Sequence, residues 1–238
     1  MIASQLLPKL GKKPPRLDDR TLRFARYVTP AALPPLPQWV QWSQNAKNPW
    51  GMMLNDAIGD CTCAAAAHAI QTWTANHGNE LTLPDGDVLD LYERVSGYDP
   101  HTGGNDNGAV ELDVLNEWRK NGIGSTGAPH RIGAFCAVNP RDTREVKEAI
   151  YLFGGLYIGI ALPLAWQSAT DVWAAPHFRF DFGHPAWQPA PGAATPCTSS
   201  ITTRNTQPAL AGANSSRSSG APSPPTSTRR GPSSAANG

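Results

Sequence analysis

The chain has little that would tie it to a membrane, a nucleic acid or an oxidising compartment. No stretch approaches the roughly 20 consecutive apolar residues of a membrane span, so none is expected. Residues 1–26 carry lysines and prolines but no apolar run of signal-peptide length, and the expectation is a cytoplasmic location, or wherever a host cell releases the protein. Twenty Lys and Arg against 19 Asp and Glu leave a net charge of +1, too small a bias to suggest nucleic acid or an anionic membrane as partner. Only four cysteines occur, Cys61, Cys63, Cys136 and Cys197, and without an export signal they do not suggest a disulfide framework. Cys61-Thr62-Cys63 with His68 lacks the second ligand pair of a structural zinc site. The run Asn105-Asp106-Asn107-Gly108 lacks the spacing and closing glutamate of a calcium loop and reads as a solvated loop. No metal and no cofactor is therefore expected.

What is present is a glycine turn that feeds a cysteine into a helix. Asn55-Asp-Ala-Ile-Gly59-Asp60-Cys61 runs into alanines 64–67, and the helical pattern continues through Ile70 and Trp73 to Gly78. A cysteine in the first turn has backbone N–H groups and the positive end of the helix dipole beside its sulfur, which favours thiolate. Cys63, two residues on and nearly opposite, reads as a small buried thiol.

Around this stretch the chain falls into three parts. Residues 1–40 are a proline-broken, basic arm expected to lie over the surface, residues 41–190 a folded domain, and residues 191–238 a low-complexity tail. Trp39, Trp42 and Trp50 precede the motif and read as the edge of a core, with a substrate subsite as the alternative. Val88, Leu89, Leu91 and Tyr92 are spaced for one buried helix face, and Val110, Leu112, Val114, Leu115 and Trp118 support a helix that stops at Asn121-Gly122. Residues 131–138 read as a strand. Asp142 and Glu145 form a capping box for a helix that ends at Gly154-Gly155, and residues 156–162 follow as a buried strand.

This order resembles the papain-like cysteine peptidases, in which a glutamine lies six positions before a cysteine that opens the central helix through a Gly-x-Cys turn. Asn55 stands at the glutamine's position and Gly59-Asp60-Cys61 at the turn. The likeness covers about residues 45–165. It implies an α+β fold with a helix-rich half and a barrel-like half built on an antiparallel sheet. It further implies a peptidase or amidase acting on a peptide or amide substrate. Cys61 would be its nucleophile, with Asn55 and the Cys61 backbone N–H holding the oxyanion. A non-catalytic binding or structural protein of the same fold, and a cell-wall amidase, are the alternatives.

Such an enzyme also needs an imidazole about 130 to 150 residues after the cysteine. His68 lies seven residues along the same helix, about 10 Å from Cys61, and cannot touch it. His77, His101 and His130 come too early, while His177 and His184 open no alternating apolar strand. As written, the chain is expected to turn over little or no substrate.

The tail supplies a reason. From Pro191 onward there is one isoleucine, one leucine, and no valine, aromatic or acidic residue, so the segment cannot bury enough apolar surface to offset its ordering entropy. Codons for Ala193 to Thr203 can nevertheless be chosen so that the shifted frame reads Gly-His-Ala-Val-His-Val-Val-Asp-Tyr-Asp. That is a glycine-histidine start to an alternating strand, with its first histidine about 133 residues beyond Cys61. Leu210 to Ala213 can likewise hide Cys-Trp-Gly. The expectation is a papain-like protein whose residues after about 190 are out of frame.

Overall fold

The computed structural model describes residues 11–124 and 128–162, and the backbone of Ser200–Thr202. The order of elements is β1 (Leu22–Arg23), α1 (Cys61–Asn76), α2 (Asp85–Ser96), α3 (Glu111–Lys120), β2 (Cys136–Val138), α4 (Thr143–Phe153) and β3 (Ser200–Thr202), with short 3-10 turns before α1. The architecture is mixed, α+β, with helices dominating. In its small sheet β1 lies parallel to β2 and β3 antiparallel to β2.

The main core is built on α1. Eleven of its 16 residues are buried, and the small side chains of Ala64, Ala66, Ala67 and Ala69 let α2 and α3 pack close on several faces. Val88, Leu91 and Tyr92 from α2 and Val114, Leu115 and Trp118 from α3 fill the space between. Trp73 stacks on Trp118 with ring centres 5.4 Å apart. The two helices are thus where their apolar spacing puts them. Gly97, with φ of 75°, ends α2, and Gly122, with φ of 86°, follows the last turn of α3.

A second, smaller core holds Phe24, Val138, Ala149 and Leu156. Phe24 is buried and meets Phe153 edge to face at 5.9 Å. The arm is therefore part of the interior here, and not solely a surface wrap. The cap of α4 also differs in detail from the expectation. Asp142 accepts from the Arg144 and Glu145 amides at 3.0 and 3.1 Å, but Glu145 reaches the Asn139 amide at 2.9 Å, because the Asp142 amide is already bonded to the Asn139 carbonyl.

Two strand expectations are corrected. Residues 131–138 form a strand only over Cys136–Val138, since Gly133 and Phe135 lead in without a partner strand among the described residues. Residues 156–162 form no regular strand. Leu156 and Tyr157 are buried, but Ile158 and Ile160 are exposed, so no second layer among the described residues covers the outer side of the apolar run. Within the tail, the backbone of Ser200–Thr202 pairs with β2, while Cys197, His177, His184 and the rest of 191–238 lie outside the described residues. No helix among the described residues is long and apolar enough to cross a membrane.

Candidate active site

Cys61 is the first residue of α1, as the glycine turn demands. The Asp60 carbonyl accepts from the Cys63 and Ala64 amides at 2.7 and 3.0 Å, and the Tyr157 hydroxyl donates to the Thr62 carbonyl at 2.7 Å, fixing the first turn from two sides. The turn before it is strained. Met53 and Leu54 have φ of 52° and 71°, which for side chains of this size costs on the order of 1 kcal/mol or more each. Asn55 follows them, its amide bonded to the Met52 carbonyl at 3.0 Å and its Oδ1 buried with no hydrogen-bond partner among the described residues.

The turn is held by a clamp that the sequence does not announce. Asp106 accepts from the Gly59 amide and from the Tyr92 hydroxyl, both at 2.8 Å, and Tyr92 in turn accepts from the Gly108 amide at 3.0 Å. The Asn-Asp-Asn-Gly loop read as solvated is in this part a support for the Cys61 turn. Burial first, and then the bond to Asp106, push the Tyr92 hydroxyl well above its ordinary range, so the phenol stays a proton donor.

Electrostatics at Cys61 run against the thiolate expected from the helix dipole. Burial pushes the Cys61 thiol up to about 11, and the Asp60 carboxylate adds to the rise, outweighing the Gly11 and Thr62 amides that pull it down. Asp60 is itself fully buried, and neither carboxylate oxygen has a hydrogen-bond partner among the described residues. Burial, with Asp106, Asp56 and Asp85 nearby, raises Asp60 to about 7, its own backbone amide opposing. A dipole acting within one turn is worth at most about 2 kcal/mol, and here desolvation and a neighbouring acid exceed it. Cys63 is fully buried, and burial raises its thiol well above the ordinary value, in keeping with a structural role.

Among the described residues no imidazole is hydrogen-bonded to Cys61. His68 is buried, with Nε2 2.7 Å from the Trp50 carbonyl, a geometry that places the proton on Nε2 and leaves Nδ1 without a partner among the described residues. Burial lowers its pKa, so it is neutral, and Trp50 meets it edge to face at 5.5 Å. His77 caps the far end of α1 and His101 lies in an exposed turn. Of the three tryptophans read as a core edge, Trp50 packs on His68 and Trp42 donates to the Ile150 carbonyl at 2.9 Å, but Trp39 is 67% exposed. A surface cavity of about 360 Å3 lies on the arm, lined by Arg20, Leu22, Arg23 and Tyr27 among others, and shares no residue with the Cys61 turn.

Residues 11–13 lie against the turn. The Ala109 amide donates to the Gly11 carbonyl at 2.8 Å and the Lys13 amide to the Ala109 carbonyl at 2.9 Å. Family models, curated proteins and solved structures all return no match to the chain. The site therefore has to be judged on its own geometry, which holds a cysteine at a helix start, a backbone turn locked by a carboxylate, and an extended segment bonded beside it. Among the described residues no group of three or more His, Cys, Asp and Glu side chains is arranged to hold a metal ion. Residue types alone gave no signal for the pairing of Asp106 with Tyr92 and Gly59 or of Lys12 with Glu111, partners that lie 14 to 99 positions apart.

Proposed function

We propose that the chain is a homologue of papain-like cysteine peptidases or amidases, catalytically silent in this form. Cys61 is its nucleophile position and Asn55 its oxyanion-side amide. The observation that carries the reading is Cys61 at the first position of a buried helix, entered through Gly59-Asp60 and flanked by an edge, Gly108-Ala109, that already bonds an extended backbone. Peptide substrates bind such edges by main-chain hydrogen bonds, which supports a peptide or amide as the ligand class. In an active relative of this design a histidine would take the thiol proton, the sulfur would add to the carbonyl carbon, and the amine would leave with that proton.

Silence follows from two features. The Cys61 thiol is raised to about 11, and His68, the nearest imidazole in sequence, is occupied by the Trp50 carbonyl. The missing base belongs to the segment read as out of frame. Sequencing the coding DNA across codons 185–200 tests this directly: an open shifted frame reading Gly-His-Ala-Val is the expected result, and its absence ends the frameshift reading. A restored-frame chain assayed on peptide and cell-wall substrates tests the chemistry. Hydrolysis lost on Cys61→Ala supports the enzyme, and no hydrolysis favours the non-catalytic binding protein. The raised thiol is the observation that favours this second reading.

A further inference from the structure

The segment beside Cys61 is seated in a shaped groove. Gly11, Lys12 and Lys13 run parallel to Ala109 and exchange two main-chain bonds with it. The approach works only because side chains are missing on both surfaces. A Cβ on Gly108 would collide with the Gly11 carbonyl, and a Cβ on Gly11 would collide with the carbonyl of Gly59, two residues before Cys61. The Gly11 amide comes near enough to act on the Cys61 sulfur.

Lys12 then turns inward. Its stem crosses Gly159, where a Cβ would run into its Cδ and Cε and lie 2.7 Å from Glu111 Oε1. Its ammonium sits 3.8 Å from Glu111 Oε2 and donates to the Lys13 carbonyl at 3.2 Å. The two side chains are 10% and 7% exposed, whereas those of Arg16 and Asp113, another pair made by the arm, are 54% and 35% exposed. A lysine gives up hydration and rotamer freedom to be buried, so a slot that holds one against a buried glutamate is chemically selective for a cation on a long stem.

We propose that Gly59, Gly108, Ala109, Glu111 and Gly159 form a peptide groove that selects a glycine followed by a lysine, and that Gly11-Lys12-Lys13 is this chain's own occupant. The proposal deepens the peptidase reading, on which it rests for the choice of a peptide as ligand. It names the side chain that the site selects and the segment that keeps it shut.

The test uses the full chain. A fluorescein-labelled Gly-Lys-Lys peptide and its Gly-norleucine-Lys counterpart are titrated against the wild type, Lys12→Ala and Lys12→Met, with far-UV circular dichroism to verify folding. The methionine variant keeps the apolar stem and drops the ammonium. Vacating the slot should make the lysine peptide bind at least about tenfold tighter than to the wild type, and about tenfold tighter than the norleucine peptide. Adding Gly159→Ala to either variant should remove that binding. Equal binding of the two peptides, or equal binding by wild type and variants, overturns the groove. Hydrogen exchange on the unaltered chain gives a second readout: excess lysine peptide should speed exchange of the Lys13 amide, and no change overturns the proposal. Lysine-selective binding without hydrolysis in the restored-frame chain would sink the peptidase reading and leave the groove standing. Hydrolysis with no preference for lysine would do the reverse.

Discussion

Replacing Asp60 by asparagine should stabilise the fold above neutral pH and do little in acid. The carboxyl is fully buried, both of its oxygens lack a hydrogen-bond partner among the described residues, and burial first, then Asp106, Asp56 and Asp85, raise it from 3.8 to about 7. A raised acid binds its proton more tightly in the folded chain than in the unfolded one. It therefore imposes no penalty below about pH 4, and an increasing one as pH climbs to about 7, where the penalty levels off. A rise of about 3 units at 1.36 kcal/mol each gives a ceiling of about 4 kcal/mol, and relaxation around the ionised group brings the realised figure to about 2. Asparagine has nearly the same shape, is favoured at a helix N-cap and never ionises. Urea denaturation of wild type and Asp60→Asn at pH 4.5 and pH 8 measures the effect. The variant should gain about 2 kcal/mol or more over wild type at pH 8 and markedly less at pH 4.5. Taking the difference between the two chains removes the opposing contribution of acids such as Asp18 and Asp99, which are lowered by their hydrogen bonds. A stability difference that is the same at both pH values would refute the reasoning.

Three further outcomes are expected. Alkylation of Cys61 by iodoacetamide, followed by peptide mass mapping, should be at least tenfold slower than that of a free cysteine at pH 7.5 and should climb steeply above pH 9, because the thiol is raised to about 11; a rate matching free cysteine contradicts this. Asp106→Ala removes the acceptor of the Gly59 amide and the Tyr92 hydroxyl and should cost about 2 to 4 kcal/mol in urea denaturation, against less than about 0.5 if the clamp is incidental. Asp142→Ala deletes the α4 cap and should cost about 1 kcal/mol in the same assay, a neutral result counting against the role of the two amide bonds.

Much of the helical part was legible because its signals are local. The spacing of Val88, Leu89, Leu91 and Tyr92, the Asn121-Gly122 stop and the Asp142 cap each depend on residues within a turn or two, and each sits where that spacing implies except Leu89, which is only half-buried. Strand 156–162 was not legible, since an apolar run becomes a strand only when another strand pairs with it and a layer covers it. At the site, the position of Cys61 was readable and its ionisation was not. The helix start is written in Gly59-Asp60-Cys61, but the fate of the proton is set by burial and by an Asp60 side chain with no hydrogen-bond partner among the described residues, which only packing decides. The Lys12 to Glu111 pairing spans 99 positions, and no pattern within either segment points to the other.

The pairing of Leu22 with Cys136 has a consequence for the order in which the protein assembles. Helices α1 to α3 can collapse on one another soon after residue 120 is made, because their contacts are close in sequence. The small core of Phe24, Val138, Ala149 and Leu156 must wait until a loop of more than 100 residues closes, and it has few apolar groups to reward that closure. It should be the later unit to form and the earlier to open, so that β1 and α4 exchange their amide hydrogens well before α1 does.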